Sequence, residues 1–229
     1  MFKVFLIVSV FALFFSSCSA EKNESSHPLA DYFYPIQEDA QVYVYRDVIG
    51  GLDEQFHRVY TVEDQAGKHI VVERYASDGR ILEALNFNLD SLNVQDHMVV
   101  NRNQKKTKAL LYKTTFFPWN ANQGTWFASK FEGVLDSTLI LQELKRSLRS
   151  LAVNREVMGN ETACISFVDS TKFTLINPFM KTEKTLMEKS TSFFAKGTGL
   201  VEWIGSKNKV HFKLEQIMSQ EEWLKIMGK

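Results

Sequence analysis

From Gln41 onward the chain is written mostly in period two, apolar and polar positions trading places over runs of five to ten residues. Gln41–Val48, Phe56–Glu63 and His69–Ala76 are rich in β-branched and aromatic residues. Ile81–Leu89 alternates through Ile81, Glu83, Leu85, Phe87 and Leu89. Such runs read as strands, and the turn residues between them (Gly50-Gly51, Asp64–Gly67, Ser77-Asp78-Gly79-Arg80) read as hairpin connections. The pattern resumes at His97–Asn101, Lys108–Phe116 and Thr125–Glu132, then at Thr162–Ile176, Thr185–Lys196, Leu200–Ile204 and Val210–Gln216. Leu139–Val153 carries two signals. Leu141, Leu144, Leu148 and Leu151 have helical spacing, yet the segment runs into the turn Gly159-Asn160 with a strand beyond it. It is read as a long strand, with a helix as the alternative. The tail changes period: Ser219 followed by Glu222 is a capping box, and Trp223, Ile226 and Met227 share one helical face. The expectation is a mainly β domain over residues 32–229, with eleven or twelve antiparallel strands and a short C-terminal helix.

The first 31 residues follow a different pattern. Lys3 is followed by the apolar run Val4–Phe15, broken only by Ser9, and then by Ser16, Ser17 and Cys18. A charged start, an apolar core and small residues before a cut form a secretory signal. The run is shorter than the roughly 20 residues that span a bilayer. With the cysteine after the small residues, it resembles a bacterial lipoprotein signal peptide. That resemblance implies cleavage after residue 17 and acylation of Cys18. Several acyl chains anchor stably where one does not. Ser19 stands where Asp would imply retention at the inner membrane, so the expected location is the cell envelope, at the outer membrane. Residues 18–31 are polar and read as a tether.

Composition narrows the partners. Removing residues 1–17 takes away one Lys and no acid, so a chain balanced at 27 bases and 27 acids becomes net −1. A balanced chain has no long-range pull toward nucleic acid. With Cys18 acylated, Cys164 has no partner for an intramolecular disulfide. It lies in an apolar strand and reads as a buried, inert thiol.

Candidate chemistry is sparse. His27, His57, His69, His97 and His211 show no zinc-ligand spacing and read as residues of solvated strand faces. Lys196-Gly197-Thr198-Gly199 has the glycines of a phosphate cradle, but a strand follows where a cradle needs a helix, so a bulge or sharp bend is expected. No catalytic residues, cofactor or metal ligands are assigned. The candidate ligand-binding residues are the aromatics Tyr112, Phe116, Trp119 and Trp126, whose faces stack on sugar rings or line apolar pockets.

Two blocks carry a family resemblance. Tyr34-Pro35-Ile36 with Ala40–Tyr45, and Phe193-Phe194-Ala195-Lys196-Gly197-Thr198-Gly199-Leu200-Val201, resemble the opening and closing motifs of a group of uncharacterised Gram-negative lipoproteins. The group's first motif has Gly where this chain has Ala40, and Trp where it has Tyr43. The resemblance implies one large, curved, half-barrel-like antiparallel sheet and brings no activity. Two functions follow. One is a lipid-anchored binding or structural module for an apolar ligand or an envelope protein. The other is a surface glycan-binding module or glycan-active enzyme built on Trp119 and Trp126. A concave face lined by Leu and Phe favours the first, and carboxylates beside an exposed Trp favour the second.

Overall fold

The computed structural model describes residues 27–65, 67–120, 122–133, 137–206 and 209–228. The cleavage site, Cys18 and residues 18–26 of the expected tether lie outside the described residues. The strands are β1 (Gln41–Asp47), β2 (Gln55–Asp64), β3 (Gly67–Tyr75), β4 (Ile81–Asn88), β5 (Val94–Val100), β6 (Lys106–Lys108), β7 (Leu110–Thr114), β8 (Thr125–Glu132), β9 (Leu139–Val157), β10 (Asn160–Asn177), β11 (Thr182–Ala195), β12 (Gly199–Gly205) and β13 (His211–Ser219), followed by helix α1 (Gln220–Ile226).

They form one antiparallel sheet of 13 strands in the order β6-β5-β4-β3-β2-β1-β13-β12-β11-β10-β9-β8-β7. Every ladder joins sequence neighbours except that between β1 and β13, which joins the two halves of the chain. The expected fold class is therefore observed. The stretch Lys108–Phe116, read as one strand, is divided at Ala109. β6 ends one edge of the sheet and β7 begins the other, so the chain crosses between edges there. Right-handed twist curls a sheet of this width until its edges approach. They meet without closing: Asn93 and Thr115 form an isolated bridge, and the Ala109 N–H donates to the His97 carbonyl at 2.8 Å.

The ambiguous segment is a strand. β9 and β10 are 19 and 18 residues long. β12 pairs with β11 only from Ser190 to Ala195. The part of β11 from Thr182 to Lys189 thus rises past the neighbouring hairpin by about 25 Å at roughly 3.3 Å per residue. One side of the curl is a tall wall and the other is short.

Alternation sends one side chain in two to the concave face. The main core lies there and includes Tyr43, Tyr45, Val59, Ile70, Phe87, Phe127, Phe167, Phe194 and Phe212. A smaller core lies on the convex face under α1, where Val42, Val44, Phe56 and Met218 surround Trp223. The capping box forms as expected: Ser219 Oγ accepts from the Glu222 N–H at 3.2 Å, and Glu222 Oε2 accepts from the Ser219 N–H at 2.8 Å. Trp223 is buried against Tyr75 and Phe56. Ile226 does not share that burial and is 65% exposed, because seven helical residues present only about two turns to the sheet.

Candidate functional site

The two ends of the curled sheet differ, and the site follows from that difference. One end is filled by residues 27–37. This segment turns through a 3₁₀ turn at Ala30–Tyr32 and then carries Phe33 and Tyr34 inside the curl. Phe33 packs edge-on against Phe87 at 4.9 Å and Phe117 at 5.3 Å between ring centres, and Phe117 in turn meets Phe167 and Phe194. The domain therefore starts earlier than residue 32. His27, placed in the tether by composition, is buried and stacked on Trp119 at 4.5 Å.

The two sequence blocks meet in this floor. The Tyr34 hydroxyl lies 3.3 Å from both the Tyr45 hydroxyl and His57 Nδ1, and the Tyr45 hydroxyl donates to the Leu200 carbonyl at 2.8 Å. Burial raises the Tyr34 pKa to about 12, so it stays a neutral hydrogen-bonding group. The Gly197 N–H donates to the Asp31 carbonyl at 2.7 Å. Gly199 has φ +95°, and a Cβ there would sit 2.6 Å from Tyr34 Cδ1. The glycines are thus a sharp bend that lets a strand begin against a tyrosine ring.

Above the floor lies a cleft of about 330 Å³. Its lining is largely apolar, with Phe87, Phe116, Phe127, Leu85 and Leu144 among the residues. Two ion pairs face the same space, each made by direct cross-strand neighbours. Arg74 of β3 and Glu83 of β4 are paired in register, and Arg74 Nη1 donates to Glu83 Oε1 at 2.5 Å. Burial alone would raise the Glu83 pKa. The Arg74 charge and a hydrogen bond with His97 outweigh it and hold the carboxyl at about 2. On the tall wall, Arg146 of β9 and Asp169 of β10 are opposite one another. Their bond is bidentate, Nε to Oδ1 at 2.8 Å and Nη2 to Oδ2 at 2.9 Å, and Ser192 Oγ donates to Oδ2 at 2.7 Å. The Arg146 guanidinium also lies over Phe116, Phe194 and Phe167 at 4.7, 5.1 and 5.2 Å.

The histidines depart from the expectation of solvated faces. His57 and His97 are buried on the concave face, which supplies polar partners, and His69 is buried on the opposite face beside Asp64 Oδ1 at 3.0 Å. His97 Nδ1 is 2.9 Å from Ser129 Oγ and Nε2 is 3.1 Å from Glu83 Oε2. A serine, a histidine and a carboxylate in line suggest a nucleophile. Here Ser129 and His97 have no exposed surface at all, so no substrate reaches them. The chain instead ties β8 to β5 where the ladder is missing. His57 is held neutral: burial and the Arg74 charge push its pKa well below the usual range. Among the described residues no group of three or more His, Cys, Asp or Glu could hold a metal ion. Burial pushes the Cys164 thiol up to about 11, which suits an inert core residue.

Of the four aromatic candidates, Phe116 lines the cleft. Tyr112 and Trp126 are exposed on the convex face, since each stands one residue out of phase with the inward positions of its strand. Trp126 lies between Lys113 and Lys145, with no carboxylate in that contact. Trp119 belongs to the floor with His27. Arg74, Glu83, Arg146, Asp169 and Trp203 were not singled out by sequence. Each is one polar or aromatic position in an alternating run, and only the strand register brings them together.

No protein-family model matches the chain, and no curated protein is detectably similar to it. Two solved structures are similar in part. One is described as "a putative lipoprotein" from Parabacteroides distasonis ATCC 8503, with 11% identity, a TM-score of 0.49, and coverage of 85% of this chain and 100% of that one. The other is described as "a putative exported protein with YmcC-like fold" from Bacteroides fragilis NCTC 9343, with 14% identity, a TM-score of 0.41, and coverage of 82% and 99%. At these values neither says what this chain does.

Proposed function

We propose that the protein is an envelope lipoprotein, anchored at the outer membrane through acylated Cys18, whose cleft binds a small and largely apolar ligand. The cleft carries this reading. Its volume of about 330 Å³ is at the lower end of ligand sites, which run from about 300 to 1,000 Å³ and are lined mainly by apolar groups with a few placed polar ones. The wall of Phe and Leu is what an apolar ligand needs. The glycan reading needed carboxylates beside an exposed Trp; Trp119 and Trp126 both lie outside the cleft. Glu83 is a poor candidate for general-acid catalysis, because that role needs a raised pKa and Glu83 has the reverse.

The anchor and the cleft are tested separately. Cys18→Ala should abolish labelling by a clickable fatty acid and release the protein into the soluble fraction; labelling that persists contradicts the anchor. The Cys18→Ser protein, purified from an envelope extract without detergent, should carry lipid that organic extraction and mass spectrometry detect. A preparation free of any small molecule, with no fluorescence response to added lipid, leaves a scaffold or protein-binding role as the better reading.

A further inference from the structure

The polar groups around the cleft say what kind of head group it suits. Two guanidinium nitrogens of lining residues, Arg74 Nε and Arg146 Nη1, are buried donors with no hydrogen-bond partner; His57 Nε2 also has none, and on a neutral ring it donates or accepts according to the tautomer. Buried polar atoms are normally satisfied, so each orphaned guanidinium N–H calls for an acceptor from elsewhere. The rings around Arg146 satisfy its charge in part, but they accept no directed hydrogen bond. The orphaned guanidinium nitrogens can only donate, so the shortage they create is of acceptors.

Charge then separates neutral acceptors from anions. Arg74 and Arg146 each already have a carboxylate, Glu83 and Asp169, and Glu188 stands at the rim. With His57 neutral, the ionised groups of the lining are two cations and three anions. An entering carboxylate would have no unpaired cation to meet. It would have to displace Glu83 or Asp169, leaving one buried anion unpaired. An uncharged carbonyl or hydroxyl oxygen accepts from the same nitrogens at no such cost. The cavity volume further suits one chain of medium length in place of a two-chain lipid.

We propose that the cleft selects an uncharged amphiphile, an apolar chain carrying ester, carbonyl or hydroxyl oxygens, and discriminates against the corresponding fatty-acid anion. This rests on the cleft being a ligand site. The test uses the full-chain Cys18→Ser protein, with tryptophan fluorescence as the readout because Trp203 lines the cleft. It is titrated at neutral pH with 1-monolauroylglycerol and with laurate, each below its micelle concentration. The monoacylglycerol should bind at least about tenfold tighter, a difference of about 1.4 kcal/mol. Laurate binding equally or more tightly overturns the head-group selection and leaves the apolar cleft standing. If neither binds, the cleft reading falls as well. Glu83→Gln, nearly isosteric, frees Arg74 from its carboxylate and should shrink the ratio by about tenfold or more in favour of laurate. An unchanged ratio in that variant overturns the charge-balance reasoning.

Discussion

The floor and the cleft adjoin on one concave face, and they are built by opposite rules. In the floor, rings touch rings, the Tyr34 and Tyr45 hydroxyls have partners, and even a methyl group on Gly199 would collide with Tyr34. In the cleft, space is left over, charges sit inside the curl, and three nitrogens lack partners. A curled sheet with one short helix has too few elements to fill its own hollow. The N-terminal segment fills one end and leaves the other open. The contrast teaches that a densely packed, glycine-dependent motif need mark no binding site, while a loosely filled, polar end of the same sheet can.

The contrast can be broken by substitution, and the largest effect is expected at the base of the cleft. Arg146→Met keeps the chain length but strips Asp169 of its bidentate partner, leaving a buried carboxylate unpaired. Loss of one partner of such a pair costs about 3–5 kcal/mol, to be read from urea unfolding. A loss under 1 kcal/mol would mean that Asp169 is satisfied by Ser192 and water alone.

Gly199→Ala comes next. The residue is left-handed and the new Cβ meets the Tyr34 ring, so a penalty of about 1–3 kcal/mol is expected. Pairing it with Tyr34→Ala sharpens the reading: the two costs should be strongly non-additive, because the ring that the methyl strikes is gone. Additive costs would show that backbone strain at Gly199, without the contact, sets the penalty.

Acid should act in two windows. His57 is neutral when folded and its pKa is depressed, so the unfolded chain binds the extra proton and stability falls as pH drops below about 6.5. Glu83, with a folded pKa of about 2, contributes stability above the unfolded carboxylate pKa of about 4.3 that is lost as pH falls toward 2. Each proton adds a slope of up to about 1.4 kcal/mol per pH unit within its window. Glu83→Gln should flatten the lower window and leave the upper one. If both windows keep their slopes, other groups dominate acid unfolding.

Much of this molecule was legible in the sequence, but unevenly. The strands from β1 to β4 follow from alternation and turn residues, and the capping box at Ser219 follows from three-residue spacing. The floor was visible as two motifs, Tyr34-Pro35 and Lys196-Gly197-Thr198-Gly199, although their contact was not. The cleft was hidden for a physical reason. Arg74, Glu83, Arg146 and Asp169 look like outward polar residues of alternating strands, and a period of two cannot say which face is concave. The same blindness assigned the histidines to solvent and Tyr112 and Trp126 to the candidate site. Ala109, where the chain passes from one edge of the sheet to the other, lies inside a β-rich run and carries no turn signal.

The smallest expected change in stability also gives the most direct test of the cleft as the binding end. Thr171 lies on the inward face of β10 and lines the cleft. Thr171→Phe adds a ring to open space and suits a strand, so it should fold with nearly unchanged stability, where Gly199→Ala with one added methyl should not. The measurement is native mass spectrometry of the Cys18→Ser protein and its Thr171→Phe derivative, both loaded with 1-monolauroylglycerol. One bound molecule on the parent and none on the filled variant, at equal melting temperature, is the expected result. Equal occupancy of the two proteins would contradict the cleft as the ligand site.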